Sequence, residues 1–299
     1  MVNFMKDSLN LESENIIQEK NKILPGTLYL VATPIGNLAD LSDRAKKVLS
    51  GVTFVAAEDT RNTGKLLSCF GIKTPLVSYY EHNKKERGEQ IVSRLKNGES
   101  CALVTDAGTP AISDPGEDLV KLCAENGVCV TSVPGCCAAV NALTLSALTT
   151  RRFVFEGFLE GNAQARTKRL EELKNEKRTV IYYESPHALK DTLALMFKIL
   201  GDRKISLCRE MTKLNEEIMR TTTSGAVEYY SEHQPRGEYV LVVEGKQNED
   251  NFWTDMSVVD HVNHYILLGM DRMDAIKQTS KDRGVGKSVI YKEMINNGQ

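Results

Sequence analysis

From Gly26 to Val133 the chain alternates short β-rich runs with helix-like stretches, and this alternation constrains the fold more than any other feature. LYLVA (28–32), VTFVAA (52–57), CALVT (101–105) and VCVTSV (128–133) are the β-rich runs. They are short and rich in β-branched and other apolar residues, as strands are. The stretches between them carry helix punctuation. In SDRAKKVLSG (42–51), Ser42 is a natural N-cap, Leu41, Ala45, Val48 and Leu49 form one apolar stripe, and Gly51 closes the segment. DPGEDLVKLCAENG (114–127) loads acids into its first turn and ends at Gly127. Strands alternating with helices make βαβ units, because parallel neighbours need a long crossover. A mainly parallel sheet is expected over 26–150.

The pattern changes after Arg151-Arg152. FVFEGF leads into a charged helix at about 162–177. RTVIYY precedes a helix over 186–200, with Ser185 as N-cap, Pro186 at its first position and Gly201 at its end. ISLC, a polar strand near 217–223, a helix over 224–233 and the strand EYVLVVEG (238–245) follow. Adjacent strands and the turn-rich QPRGE point to a mixed sheet, with a domain boundary near 149–152. After KQNEDN (246–251), helical patterns recur at about 255–268, 271–282 and 287–296. DAIKQTSKDRGVGKSVIYKEM reads as a helix, a Gly turn and a helix, with six Lys/Arg between 272 and 292. It is either helix-turn-helix-like or a solvated helical cap. The expected fold class is α/β. A flexible leader (1–25) precedes two α/β domains (26–150 and 151–245) and a small C-terminal helical segment (246–299).

Several function classes are excluded. Lys and Arg number 38 against 40 Asp and Glu, so no uniformly basic polyanion binder is in view. Local basic stretches do exist at Lys84-Lys85-Arg87, Arg166-Lys168-Arg169 with Lys177-Arg178, and Arg272 to Lys292. The longest apolar stretch, Cys136–Leu148, falls short of the roughly 20 residues that cross a bilayer. Residues 1–25 lack the apolar core of a secretory signal. Seven cysteines without C-x-x-C, mostly in apolar runs, read as small buried hydrophobes in a reducing cytosol; no metal site is expected. G-x-G-x-x-G is absent after the first strand. GVGKS (284–288) is not a P-loop, because Lys281 stands where the first Gly belongs.

Four segments follow strand ends directly, and in open α/β sheets ligands bind at that edge. TPIGN (33–37) is a sharp turn. Glu58-Asp59-Thr60-Arg61 puts two acids and an arginine after an apolar strand, more than a helix cap alone requires. Asp106 to Gly116, DAGTPAISDPG, is a long loop of small residues that lets backbone approach a ligand. PGCCAA (134–139) feeds an apolar helix expected to pack inside with its N-terminus toward a ligand.

TPIGN, EDTR, DAGTPAISDPG, PG-x-x-AA and FEGFL, in this order, resemble the tetrapyrrole methylase superfamily. RTVIYYESPHAL and LCREMTK extend the likeness over about residues 26–245. Within the superfamily the chain is similar to the branch that methylates a cytidine 2′-hydroxyl of 16S ribosomal RNA. Precorrin methylases share the fold but carry a G-D-P loop where this chain has DAGTP. The resemblance implies S-adenosyl-L-methionine in the cleft between two α/β domains, a cytoplasmic homodimer, and the small ribosomal subunit's 16S rRNA as partner. It implies cofactor contacts from Pro34, Asp106, Ala107, Gly108, Ile112, Cys137, Ala138, Glu184 and Met211. Relatives usually carry proline or a small polar residue at the Cys136-Cys137 pair, so position 137 is left with a backbone contact. A general base is needed to activate the hydroxyl. Glu58 and Asp59 rank first, with Arg61 holding RNA phosphate or one of the acids. His82 comes next, and Glu184 and Lys213 are further candidates. A tetrapyrrole C-methyltransferase and a noncatalytic RNA-binding assembly factor are the alternatives.

Overall fold

Strands β1 (Thr27–Val31), β2 (Phe54–Ala57), β3 (Leu76–Ser78), β4 (Cys101–Val104) and β5 (Cys129–Val133) pair in the order β3-β2-β4-β1-β5, every pair parallel. The structure is a computed structural model that describes residues 22–247, 252–253 and 255–296. Most of the expected leader and of the 246–251 linker lies outside the described residues. Alternate strand positions feed different cores. Val31, Val55, Ala57 and Val104 meet Leu41 and, from α1 (Asp43–Gly51), Ala45, Val48 and Leu49. Leu28, Phe54, Ala56 and Leu103 meet Ile91 and Leu95 of α3 (Lys84–Lys96) and Leu119 of α4 (Glu117–Glu125). With both faces covered, FVAA and CALV are buried at every position, which explains their unbroken apolar character. Ser42 caps α1 by accepting from Ala45 N–H, as its position predicts.

Between β2 and β4 the chain forms α2 (Thr60–Cys69), β3 and α3. The sequence reading assigns no strand there. β3 has three half-buried residues at the sheet edge, too few for a periodic signal. Helix α4 starts at Glu117 rather than 114, because Gly116, at φ 150°, still belongs to the preceding loop.

The second sheet runs β6-β7-β10-β8-β9, from β6 (Phe153–Phe158), β7 (Thr179–Glu184), β8 (Lys204–Arg209), β9 (Glu217–Thr222) and β10 (Tyr239–Val243). It is mixed as expected: only β6–β7 is parallel. One face packs Val180, Tyr182, Leu207 and Leu241 against α6 (Ala163–Leu173), α7 (Leu189–Leu200) and α8 (Thr223–Glu232). The other face packs Ile181, Cys208, Val240 and Val242 against Ala139, Ala142 and Leu143 of α5 (Ala138–Leu145). The helix that follows β5 thus covers the second sheet and joins the two halves in one unit through Gly245. It is amphipathic rather than buried all round, since Val140 and Leu145 are exposed.

Two local expectations need correction. Helix α7 begins at Leu189 with Ala188 as N-cap, not at Pro186 behind a Ser185 cap. The Ser185 N–H is drawn to the Glu184 carboxylate, and Ser185 joins the wall of a cleft. All seven cysteines are unpaired, but only Cys101, Cys123 and Cys208 are buried. Cys129 is exposed because β5 is an edge strand.

A second unit, from Lys246, holds α9 (Val258–Leu267), α10 (Arg272–Arg283) and α11 (Lys287–Asn296) around Val262, Ala275, Ile276, Ile290 and Met294. Gly284, in the left-handed region at φ 64°, makes the turn after α10.

Candidate active site

Because every strand of the first sheet points the same way, the segments after β1, β2, β4 and β5 gather at one edge. Hydrogen bonds tie them into one rim. Thr33 and Gly108 exchange backbone bonds of 2.9 and 3.1 Å, joining TPIGN to the long loop. Thr105 Oγ1 donates to Glu58 Oε2 at 2.9 Å, and Asn62 Nδ2 donates to Asp106 Oδ2 at 2.9 Å. Thr109 Oγ1 donates to the Cys136 carbonyl at 2.8 Å, reaching the turn before α5.

This rim forms one wall of a cleft of about 510 Å³, within the range of small-molecule sites. Ends of the second sheet form the opposite wall, with Tyr183 and Glu184 from β7 and Met211 and Lys213 from the segment after β8. Strained backbone shapes both sides. Ala111 and Ser113 lie in the left-handed region, as do Glu210 and Thr212 on either side of Met211; each such residue costs about 1–3 kcal/mol and persists where packing enforces it. Two glycines allow the fit. A Cβ at Gly36 would stand 2.4 Å from Lys213 Cγ, and one at Gly157, at the irregularity in β6, 2.6 Å from Ser113 Oγ.

The cleft is acidic. Glu58, Asp106, Asp114, Glu184, Glu210 and Glu238 line it against one cation, Lys213. Glu184 is 5% exposed, and both its oxygens are engaged, by Ser185 N–H and by the Thr192 hydroxyl. Burial is the largest single influence on Lys213 and lowers its pKa. Ion pairs of 2.9 Å to Glu238 and Glu210 together outweigh that, and the net shift is upward. Lys213 therefore stays an ammonium and is no base. Asp114 is pushed up to about 6, first by burial and then by Glu58 and Asp106, against a hydrogen bond with Thr105. Burial lifts Tyr183 to about 12, and its oxygen accepts from Ala139 N–H at 3.3 Å. Cys137 caps α5 without a side-chain bond, so the positive end of that helix borders the cleft.

Ten of the expected site residues line the cleft: Glu58, Asp106, Ala107, Gly108, Ile112, Cys137, Ala138, Glu184, Met211 and Lys213. Pro34, Asp59, Arg61 and His82 do not. Asp59 is the N-cap of α2. Its Oδ1 accepts from Arg61 N–H, and its Oδ2 accepts from the Arg61 guanidinium, both at 2.8 Å. Those bonds, side chain first, hold the carboxyl at about 2, which makes it a poor proton acceptor. The Arg61 guanidinium holds one of the two acids, Asp59. His82 packs edge-on to Tyr80 in the segment after β3. The sequence reading passed over Asp114 and Tyr183. Asp114 sits in SDPG ahead of an acid-rich helix start and reads as a turn residue, while Tyr183 reads as strand.

Intramolecular acids occupy much of the basic surface. Lys84 pairs with Glu81 and Asp118, Arg169 with Glu156 and Glu172, and Arg178 with Glu176. Among the described residues, Lys277, Lys281, Lys287 and Lys292 of the second unit form no ion pair. Also among the described residues, no cluster of three metal-ligating side chains occurs, and no helix is long and apolar enough to cross a membrane.

Two α/β halves joined through a helix, with an acidic cleft at the parallel sheet's carboxyl edge, define a class. Residues 27–226 match the tetrapyrrole (corrin/porphyrin) methylases, and the chain belongs to that family. Two relatives are named ribosomal RNA small subunit methyltransferase I. The one from Halalkalibacterium halodurans is 51% identical over 270 residues, covering 89% of this chain and 93% of the relative. The one from Bacillus subtilis is 47% identical over 271 residues, with the same two shares covered. In fold the chain resembles the uroporphyrin-III C-methyl transferase of Thermus thermophilus complexed with S-adenyl homocysteine. The TM-score is 0.53 at 15% identity, covering 73% of this chain and 97% of that one.

Proposed function

We propose that this chain methylates 16S ribosomal RNA, transferring the methyl group of S-adenosylmethionine to the 2′-hydroxyl of a cytidine in the cleft. The observation that carries the reading is the cleft's charge: six carboxylates against one ammonium suit a sulfonium cation. The names of relatives spanning nearly the whole chain supply the substrate class. The residues present fit the cofactor. The uncapped start of α5, at Cys137 and Ala138, offers backbone N–H groups to a carboxylate. Gly108 and Ala107 admit close backbone approach, and Ile112 and Met211 supply apolar surface. When bound, the cofactor supplies an activated methyl group. The chain's own work is to orient the attacking hydroxyl, exclude water and accept a proton. Glu58, held by Thr105, and Asp114 line the cleft and are the carboxylates assigned to that proton. A homodimer working on ribosomal subunits in the cytoplasm completes the proposal.

The test supplies methyl-labelled S-adenosylmethionine with 30S subunits, naked 16S rRNA or uroporphyrinogen, and maps the label. Label on a cytidine ribose supports the reading. Label on the tetrapyrrole alone, or nowhere, rejects it.

A further inference from the structure

A ribose hydroxyl is a poor nucleophile until its proton has somewhere to go, and most of the cleft's carboxylates are already committed. Glu184 has both oxygens engaged. Glu210 and Glu238 share the Lys213 ammonium. Asp106 is exposed and takes the Asn62 amide. Glu58 receives the Thr105 proton.

Asp114 differs from all of these. It is half-buried in the cleft wall, and no cation stands among its neighbours. The hydroxyl that touches it, Thr105, also bonds to Glu58, so a single proton serves both carboxylates. The groups that face it are Glu58 from the end of β2, Asp106 from the end of β4 and Tyr183 from β7. Its backbone is held firmly. Ala111 and Ser113 are left-handed, and Ser113 rests against Gly157 of β6 on the opposite sheet.

Resting on the proposed methyl transfer, we infer that Asp114 is the catalytic residue that accepts the proton of the attacking hydroxyl. The hydroxyl oxygen bonds to the methyl carbon as the carbon–sulfur bond breaks, and that bonding pair stays on sulfur, which becomes a neutral thioether. The O–H pair remains on oxygen, and the proton passes to an Asp114 carboxylate oxygen, then to water after product leaves. A carboxyl lifted to about 6 is ionised at neutral pH, yet binds a proton better than an ordinary aspartate.

The test uses the full chain, with Asp114→Asn, near-isosteric, and Asp114→Glu. Single-turnover methylation of 30S subunits is followed from pH 5 to 8.5. S-adenosylmethionine binding is measured by calorimetry, and carboxyl titration of the unliganded chain by carbon NMR. The wild-type rate is expected to rise about tenfold per pH unit below about 6 and then level off. Asp114→Asn slows transfer by about 10²-fold or more, loses that limb and the resonance titrating near 6, and keeps cofactor affinity within about threefold. Asp114→Glu restores part of the rate and the limb. An Asp114→Asn rate within threefold of wild type with the limb retained overturns the inference. So does a loss of cofactor binding large enough to account for the slower rate. If the wild type itself places no label in RNA, the functional reading falls and this inference with it.

Discussion

Replacing Thr192 with valine isolates one hydrogen bond behind the cleft wall. Valine has nearly the shape of threonine, and position 192 is 1% exposed within α7, so packing survives while the hydroxyl goes. The donor to Glu184 Oε2 is lost, and only the Ser185 N–H on Oε1 remains. At 5% exposure of Glu184, water does not replace it. A hydrogen bond to a carboxylate contributes about 1.5–3 kcal/mol, so Thr192→Val should lose about 2 kcal/mol. Thr192→Ser is the control: it keeps the donor and deletes one methyl, about 1 kcal/mol. Urea unfolding followed by far-UV circular dichroism reads the larger unit. The lone tryptophan, Trp253, lies in the other unit and reports that one separately. A valine variant as stable as the serine variant refutes the reasoning, because it leaves the Glu184 carboxylate indifferent to its buried donor.

Gly157→Val forces a side chain into the left-handed region and against Ser113 Oγ. A cost of about 1–3 kcal/mol, together with cofactor affinity at least tenfold weaker by calorimetry, is expected, and unchanged affinity contradicts the role given to this contact. His261 is buried; its Nδ1 accepts from Arg283 Nε at 3.0 Å, and Nε2 lies 3.3 Å from Asp282. Burial, then Arg283, depresses its pKa despite Asp282. The unfolded state therefore binds the proton more readily, so the stability is present above about 6.5 and lost as pH falls. Trp253 stacks on His261, so its fluorescence should report weakening of the second unit as pH falls below about 6.5, and a flat response argues against it. Truncation after Gly245 is expected to spare cofactor binding and weaken rRNA binding. It should also reduce the slope of log affinity against log salt by about 0.7–0.9 for each phosphate that the tail neutralises. Equal slopes remove the tail from the RNA interface.

Much of the fold was legible because its signals are local. β2 and β4, buried on both faces, left unbroken apolar runs. Ser42 and Gly201 punctuated helices where expected. β3 left no such trace, since an edge strand of three residues has neither length nor two buried faces. Within the site, the strand-end loops were found because parallel strands must release their connections at one edge. The roles inside those loops were harder to read. Asp59 and Glu58 are adjacent, yet one caps α2 and the other faces the cleft, a difference set by the direction in which the chain turns after β2.

Composition, the alternation of strand and helix, and turn residues such as Gly116 follow from the chain's own local preferences, and these specify an α/β sheet with ligand-ready loops. Which acids share a cleft, and which of them are paired with a cation, depends on contacts between residues far apart in sequence. Thr105 and Glu58 are 47 positions apart, and Asn62 and Asp106 are 44. Proton affinity responds to burial and neighbouring charge, and for Asp114 both arise only when the ends of β2, β4 and β7 are brought together.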